Sequence, residues 1–115
     1  MLLLGAACFQ VQAAPDFKQI RSDREAARSA ANLVRVLLVP VELGGEQDFD
    51  NHAYITPAAA RAKAEIDAML APLAARREID YYQARTRFKG ASVVPSEILI
   101  SVVGPKRMQY RIKVW

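Results

Sequence analysis

The last third of the chain alternates apolar and polar residues with the two-residue period of a β-strand. The alternation occupies three segments, residues 79–88, 97–103 and 108–115. Turn-forming residues separate these segments, with Gly104 and Pro105 between the last two. The pattern predicts three strands, of which the last two form a β-hairpin, in a sheet with one apolar and one polar face.

A strong helix start lies in the middle of the chain. The hydroxyl of Thr56 can cap a first helical turn, and proline suits the first helical position, which Pro57 would occupy. We expect the helix over 57–70, with Pro72 as its kink or end, although residues 73–77 could add a further turn. The expected apolar face consists of Ala59, Ala62, Ile66, Met69 and Leu70, with Arg61, Lys63, Glu65 and Asp67 mostly on the remaining surface.

Two further elements are expected before this helix. Ser22 and Glu25 have the spacing of a capping box, which predicts a short helix over 23–32. Segment 33–43 is rich in Leu and Val, which predicts a strand covered on both faces that ends, bulges or reaches the sheet edge at Pro40.

These elements predict an α+β fold. We expect a small antiparallel sheet of about three or four strands with a C-terminal β-hairpin, a helix packed on one face and a second, short N-terminal helix. The strand over 33–43 would lie centrally in that sheet or beside the other strands.

Length and composition fit one globular domain, with 115 residues, 52% hydrophobic and 24% charged. The apolar content includes residues 1–9, which are followed by small residues at Val11 and Ala13. This pattern is typical of a signal peptide, and it is shorter than the roughly 20 residues of a transmembrane helix. We therefore expect residues 1–13 to be a signal peptide and 14–115 to be an exported domain, periplasmic or secreted.

The leader lacks one feature of a signal peptide, because no Lys or Arg precedes Lys18. A start codon further upstream or a truncated gene model would explain this. Two alternatives remain open: a buried N-terminal element over 1–9, or a lipoprotein anchored at Cys8, although Gly5 departs from the lipobox pattern. Cys8 is the only cysteine, so cleavage after Ala13 would leave a body without thiols or disulfides.

The net charge of +4 is unevenly distributed. Residues 79–115 hold seven basic and two acidic residues, whereas 42–50 hold four acidic residues and no basic one. Because side chains two positions apart share a strand face, the basic residues of neighbouring strands would merge into one surface. The candidate basic surface consists of Arg85, Arg87, Lys89, Arg111 and Lys113, flanked by Tyr81. The alternative is a solvated sheet face whose charges prevent edge pairing.

The second candidate surface is an acidic loop formed by Glu46, Asp48, Asp50 and His52. It lacks the oxygen count and glycine position of a calcium-binding EF-hand loop. His52 is the only histidine, and neither an elbow serine nor a glycine-rich phosphate loop accompanies it. We therefore expect His52 to be a hydrogen-bonded loop residue, and we expect no catalytic residue, metal or cofactor.

The sequence favours a non-enzymatic module, similar to an inhibitor or immunity protein, that binds another protein in the cell envelope or outside the cell. The partner would be recognised by charge complementarity together with an exposed Tyr81 or Trp115. Nucleic acid is disfavoured, because exported proteins seldom meet it and four charges are a small footprint. Two alternatives remain: a small hydrolase or toxin domain acting on an anionic polymer through His52, Asp50 and the basic face, and a purely structural domain.

Overall fold

A computed structural model of the chain describes residues 16–29, 31–47 and 49–115. The expected signal peptide, Cys8 and Asp48 lie outside these residues. The described chain contains two antiparallel sheets, one long helix and one short helix, which confirms the α+β class with its C-terminal hairpin. The strands are β1 (Val34–Leu37), β2 (His52–Ile55), β3 (Tyr81–Arg87), β4 (Glu97–Val103) and β5 (Met108–Lys113), and the helices are α1 (Asp23–Ala27) and α2 (Pro57–Ala75).

The main sheet has the order β3-β4-β5, as the alternation predicts. Its inner face is buried, and the side chains of Ile98 and Ile100 in the central strand are completely inaccessible to solvent. Its outer face is exposed along β3 and β5. The core therefore lies between the inner face of this sheet, α2 and the sheet formed by β1 and β2. Its largest fully buried residues are Ile55, Leu70, Val94, Pro95, Ile98, Ile100 and Val102.

Helix α1 begins at the predicted capping box. The Glu25 amide donates to Ser22 Oγ at 3.1 Å, and the Ser22 hydroxyl donates to Glu25 Oε1 at 3.2 Å. The helix ends at Ala27 and does not continue to residue 32. Within it only Ala26 is buried, so little apolar contact is available to stabilise further turns.

Helix α2 begins as predicted, with the Ala59 amide donating to Thr56 Oγ1 at 3.3 Å. It passes through Pro72 and takes the further turn, ending at Ala75. A proline in a helix removes one backbone donor. The carbonyl that loses its partner belongs to Ala68, an exposed residue, so water can satisfy it.

The predicted apolar face of α2 is wrong at two positions. Lys63 is 2% exposed, whereas Met69 is 51% exposed. The buried stripe contains Ala59, Lys63 and Leu70, with Ile66 partly buried between them, and its spacings of four, three and four residues follow one helix face. The predicted face also has helical spacing, but the buried stripe is rotated away from Met69 and toward Lys63, and hydropathy does not mark a lysine as buried.

The ammonium of Lys63 lies in a buried polar cluster with Asp67 and Tyr82. Lys63 Nζ lies 2.7 Å from Asp67 Oδ2 and donates to the Tyr82 hydroxyl oxygen at 3.4 Å. The Tyr82 hydroxyl donates to Asp67 Oδ1 at 2.6 Å. Burial raises the pKa of Tyr82, and the hydrogen bond to Asp67 raises it further. The buried polar cluster therefore attaches α2 to β3.

The prediction of one long, doubly covered strand over 33–43 is wrong. Only Val34–Leu37 forms a strand, and it pairs with β2 in a separate sheet instead of joining the main one. Val41–Leu43 forms a 3₁₀ turn after Pro40. The strand ends three residues before Pro40, and because proline has no amide to donate, the apolar run cannot continue as a paired strand through that position.

Two glycines complete this turn for different reasons. Gly44 has a φ of 97°, in the region that favours glycine. Gly45 donates its amide to the Pro40 carbonyl at 2.9 Å. A Cβ atom on Gly45 would lie 1.8 Å from the Val39 carbonyl oxygen, so no side chain fits there.

Candidate functional site

The exposed side of the main sheet brings four of the predicted basic residues onto one surface. In the strand register, Leu99 of β4 lies between Arg85 of β3 and Arg111 of β5. One row further along, Glu97 lies between Arg87 and Lys113. We call the surface formed by Arg85, Arg87, Glu97, Leu99, Arg111 and Lys113 the basic face. Because β4 separates the two pairs of cations, about 9.5 Å separates the backbones that carry them.

Glu97 is the only acidic residue that the described chain places among these cations. Its carboxylate lies 3.3 Å from Arg111 Nε and 3.9 Å from Arg87 Nε. No described carboxylate lies within ion-pair distance of Arg85 or Lys113. The face therefore keeps an excess of positive charge, which attracts anions toward it.

A groove runs along β4 on this face. Its floor contains Leu99 and Ser101, whose side chains are shorter than the arginine and glutamine side chains of β3 and β5 that form its walls. The groove has a volume of about 540 Å³. We call it the β4 groove, and the outward side chains that line it are Gln83, Arg85, Leu99, Ser101, Gln109 and Arg111.

Two other residues of the predicted basic surface lie apart from this groove. Tyr81 is exposed on the same face, opposite Val103 at the far end of β3. The Lys89 ammonium donates to the Trp115 carbonyl oxygen at 3.1 Å and lies 4.8 Å from the centre of its ring. Lys89 is therefore engaged by Trp115 and does not extend the basic face.

The expected exposure of Trp115 is wrong. Its indole Nε1 donates to the Val94 carbonyl at 3.0 Å, and its ring centre lies 5.4 Å from that of Phe17. The ring therefore packs against the core. It covers apolar residues near the end of the strand, while its polar N–H group finds a backbone acceptor.

The acidic loop is held by a residue that the sequence did not single out. The side chain of Asn51 accepts from the Val39 amide at 2.8 Å and donates to the Val39 carbonyl at 2.9 Å and the Glu46 carbonyl at 2.7 Å. Glu46 and Asp50 are exposed, and Asp48 lies outside the described residues. An asparagine in a polar loop often forms hydrogen bonds with nearby backbone groups, but the sequence does not identify which groups these are.

His52 is the first residue of β2, not a loop residue. Its Nε2 lies 2.8 Å from Asp23 Oδ2, and its side chain is only 9% exposed. This contact attaches the start of α1 to β2. Sequence reasoning missed Asp23, because it lies 29 positions before His52 and no local pattern relates them.

His52, Asp23 and Asp50 line an open cleft of about 590 Å³. Thr86 lines the same cleft from the inner face of β3, whereas the neighbouring Arg85 points to the outer face. His52 and the basic face therefore lie on opposite sides of β3. The structure does not combine them into one surface, which the hydrolase alternative would require.

The described residues contain no group of three or more His, Cys, Asp or Glu side chains that could hold a metal ion. Within the same part of the chain, no helix has the length and apolar character needed to cross a membrane.

No protein-family model matches the chain, and no similar protein was found among the curated proteins or the solved structures.

Proposed function

We propose that this chain is an exported, non-catalytic module that binds an acidic segment of another protein, in the cell envelope or outside the cell, through the basic face. The observation that supports this is the placement of Arg85, Arg87, Arg111 and Lys113 on one exposed sheet face with a single carboxylate among them. Opposite charge would accelerate the encounter, and charge-assisted hydrogen bonds would hold the partner.

Two features favour binding over a role in solubility alone. The cations surround apolar Leu99, and exposed Tyr81 lies on the same face, so charged, aromatic and apolar groups occur together as they do in protein interfaces. The inner side of the sheet is packed in the core, and the strands therefore present these groups on a rigid support.

The proposal of export depends on the leader. Residues 1–9 and the small residues Val11 and Ala13 support recognition by a signal peptidase. Expression of the full chain with a C-terminal tag, followed by fractionation and N-terminal sequencing, tests this. Export predicts a mature protein that begins at Ala14 in the periplasm or medium, and an Ala13→Tyr variant should retain its leader. A full-length protein confined to the cytoplasm would contradict it.

Partner binding is tested by capture from envelope extract with the mature domain, followed by mass spectrometry. The test variant reverses the four cations of the basic face: Arg85→Glu, Arg87→Glu, Arg111→Glu and Lys113→Glu. A control with the same change in net charge reverses four exposed cations elsewhere: Lys18→Glu, Arg24→Glu, Arg28→Glu and Arg61→Glu. The proposal requires a protein that the wild type and the control capture, that salt releases and that the test variant fails to capture. Equal capture by all three proteins would contradict the proposal.

A further inference from the structure

We infer that the β4 groove seats an extended acidic peptide parallel to β4, with one of its carboxylates between Arg85 and Arg111. This inference rests on the proposed function and names the part of the partner that the basic face recognises.

The dimensions of the groove fit one extended chain. Neighbouring strands lie about 4.8 Å apart, so the walls on β3 and β5 rise from backbones about two strand spacings apart. The floor residues Leu99 and Ser101 leave the space above β4 open. A peptide lying there would be flanked on both sides by the long side chains of β3 and β5. The aliphatic part of one of the peptide's own side chains would contact Leu99.

The charges identify the position of the carboxylate. Arg85 has no described carboxylate within ion-pair distance, and Arg111 has only Glu97, at 3.3 Å. Both arginines line the same groove. A carboxylate between them would form a bidentate pair with one guanidinium and a second charged contact with the other. It would compete with Glu97 for Arg111.

The next row of the groove favours a peptide over a nucleic acid. Gln83, Ser101 and Gln109 lie opposite one another across the three strands. Their amide and hydroxyl groups are neutral donors and acceptors, which suit the amide groups of a peptide. Successive rows along β4 lie about 6.7 Å apart, which matches side chains two positions apart in an extended chain. The favoured ligand therefore carries an acidic residue over the Leu99 row and a neutral residue over the Ser101 row.

Fluorescence anisotropy with the labelled octapeptide Ser-Glu-Ser-Thr-Ser-Glu-Ser-Thr, in which Glu and Thr alternate along one face of the extended chain, tests the inference. Its counterpart with Gln in place of Glu, and an octamer of deoxythymidine, serve as comparison probes. Arg85→Met and Arg111→Met should each weaken binding of the Glu peptide about tenfold, the cost of one charge-assisted hydrogen bond. Arg61→Met removes the same charge from the exposed surface of α2 and should change binding less than about twofold.

Glu97→Gln provides a test with the opposite sign. It releases Arg111 and Arg87 from their internal carboxylate, so the Glu peptide should bind about threefold more tightly, a change of the size expected for an exposed ion pair. A merely structural role for Glu97 would produce no such gain. Circular dichroism of each variant checks that the fold is retained.

The failures can be told apart. If Arg85→Met and Arg111→Met weaken binding no more than Arg87→Met and Lys113→Met, the peptide binds the basic face but its carboxylate does not lie between Arg85 and Arg111 in the β4 groove. The peptide assignment is overturned if the Glu peptide does not bind, or if the deoxythymidine octamer binds as tightly. Equal capture of the envelope partner by the wild type and the four-residue reversal variant would overturn the proposed function itself.

Discussion

Replacing Asp67 with alanine should strongly destabilise the protein, because it isolates the charge of Lys63. The Lys63 side chain is 3% exposed and that of Asp67 is 18% exposed. Without Asp67, the ammonium keeps only the Tyr82 hydroxyl at 3.4 Å, and that hydroxyl loses its own acceptor. Breaking a buried ion pair in this way costs about 3 to 5 kcal/mol. The partial exposure of Asp67 places the expected loss near the lower limit, at about 3 kcal/mol.

The other single substitutions should cost less. Lys63→Met leaves the Asp67 carboxylate, which water can reach and which still accepts from the Tyr82 hydroxyl, so we expect a loss of about 1 to 2 kcal/mol. Tyr82→Phe leaves the ion pair intact but removes the short hydrogen bond to Asp67 and the long one from Lys63, which together should cost about 2 kcal/mol. The double variant Lys63→Met/Asp67→Leu removes both charges, and apolar replacement of a buried pair is often tolerated. Its remaining cost is the Tyr82 hydroxyl left without its acceptor, about 1 kcal/mol.

Urea unfolding followed by circular dichroism and by the fluorescence of Trp115 measures these losses. For a small domain with a slope of about 1 to 2 kcal/mol per molar urea, the midpoint of Asp67→Ala should fall by about 2 M. The slope should stay constant if the variants remain two-state. A loss below about 1 kcal/mol for Asp67→Ala, or an equal loss in the double variant, would show that an isolated buried charge is not the source of the cost.

Three further predictions follow from other contacts. Because burial raises the pKa of Tyr82 above its ordinary value of 10.0, the unfolded chain loses this proton first. The free energy of unfolding should therefore fall above about pH 10, less steeply in Tyr82→Phe, as urea midpoints across that range would show. Hydrogen bonds from Lys106 and then Arg76 lower the pKa of Glu78 below 4.5. The stability that these bonds contribute should be lost as pH falls below about 4.5, and Glu78→Gln should flatten the acid limb of the stability profile. His52→Ala removes the contact with Asp23 and should lower the free energy of unfolding in urea by about 1 kcal/mol. Partner capture should not change. If the folded variant instead lost a hydrolytic activity on an anionic polymer, the enzyme alternative would be favoured.

Local sequence signals were sufficient to predict the elements that depend on neighbouring residues. The spans of β3, β4 and β5 follow from alternation between turn residues, and the confirmed bounds of β4 are those predicted. The starts of α1 and α2 follow from the capping side chains of Ser22 and Thr56. These features depend on residues a few positions apart, so a pattern along the chain contains the information.

Which segments pair with each other depends on contacts between residues far apart in the chain. The run over 33–43 is apolar enough for the main sheet, yet β1 pairs with β2, because pairing depends on register and on the path of the chain after Pro40. Lys63 is buried because Asp67 and Tyr82 meet it there, and no hydropathy pattern marks a lysine for the core.

The candidate site also combines features that local patterns predict with features that depend on strand order and distant contacts. Alternation indicated that Arg85 and Arg87 share one strand face and that the cations of β5 share another. Only strand order placed β4 between the two pairs and thereby created the β4 groove with Glu97 at one end. The contact of His52 with Asp23 and the engagement of Lys89 by Trp115 join distant segments. Such contacts arise when the whole core packs, since the free energy of burial and not local preference brings these groups together.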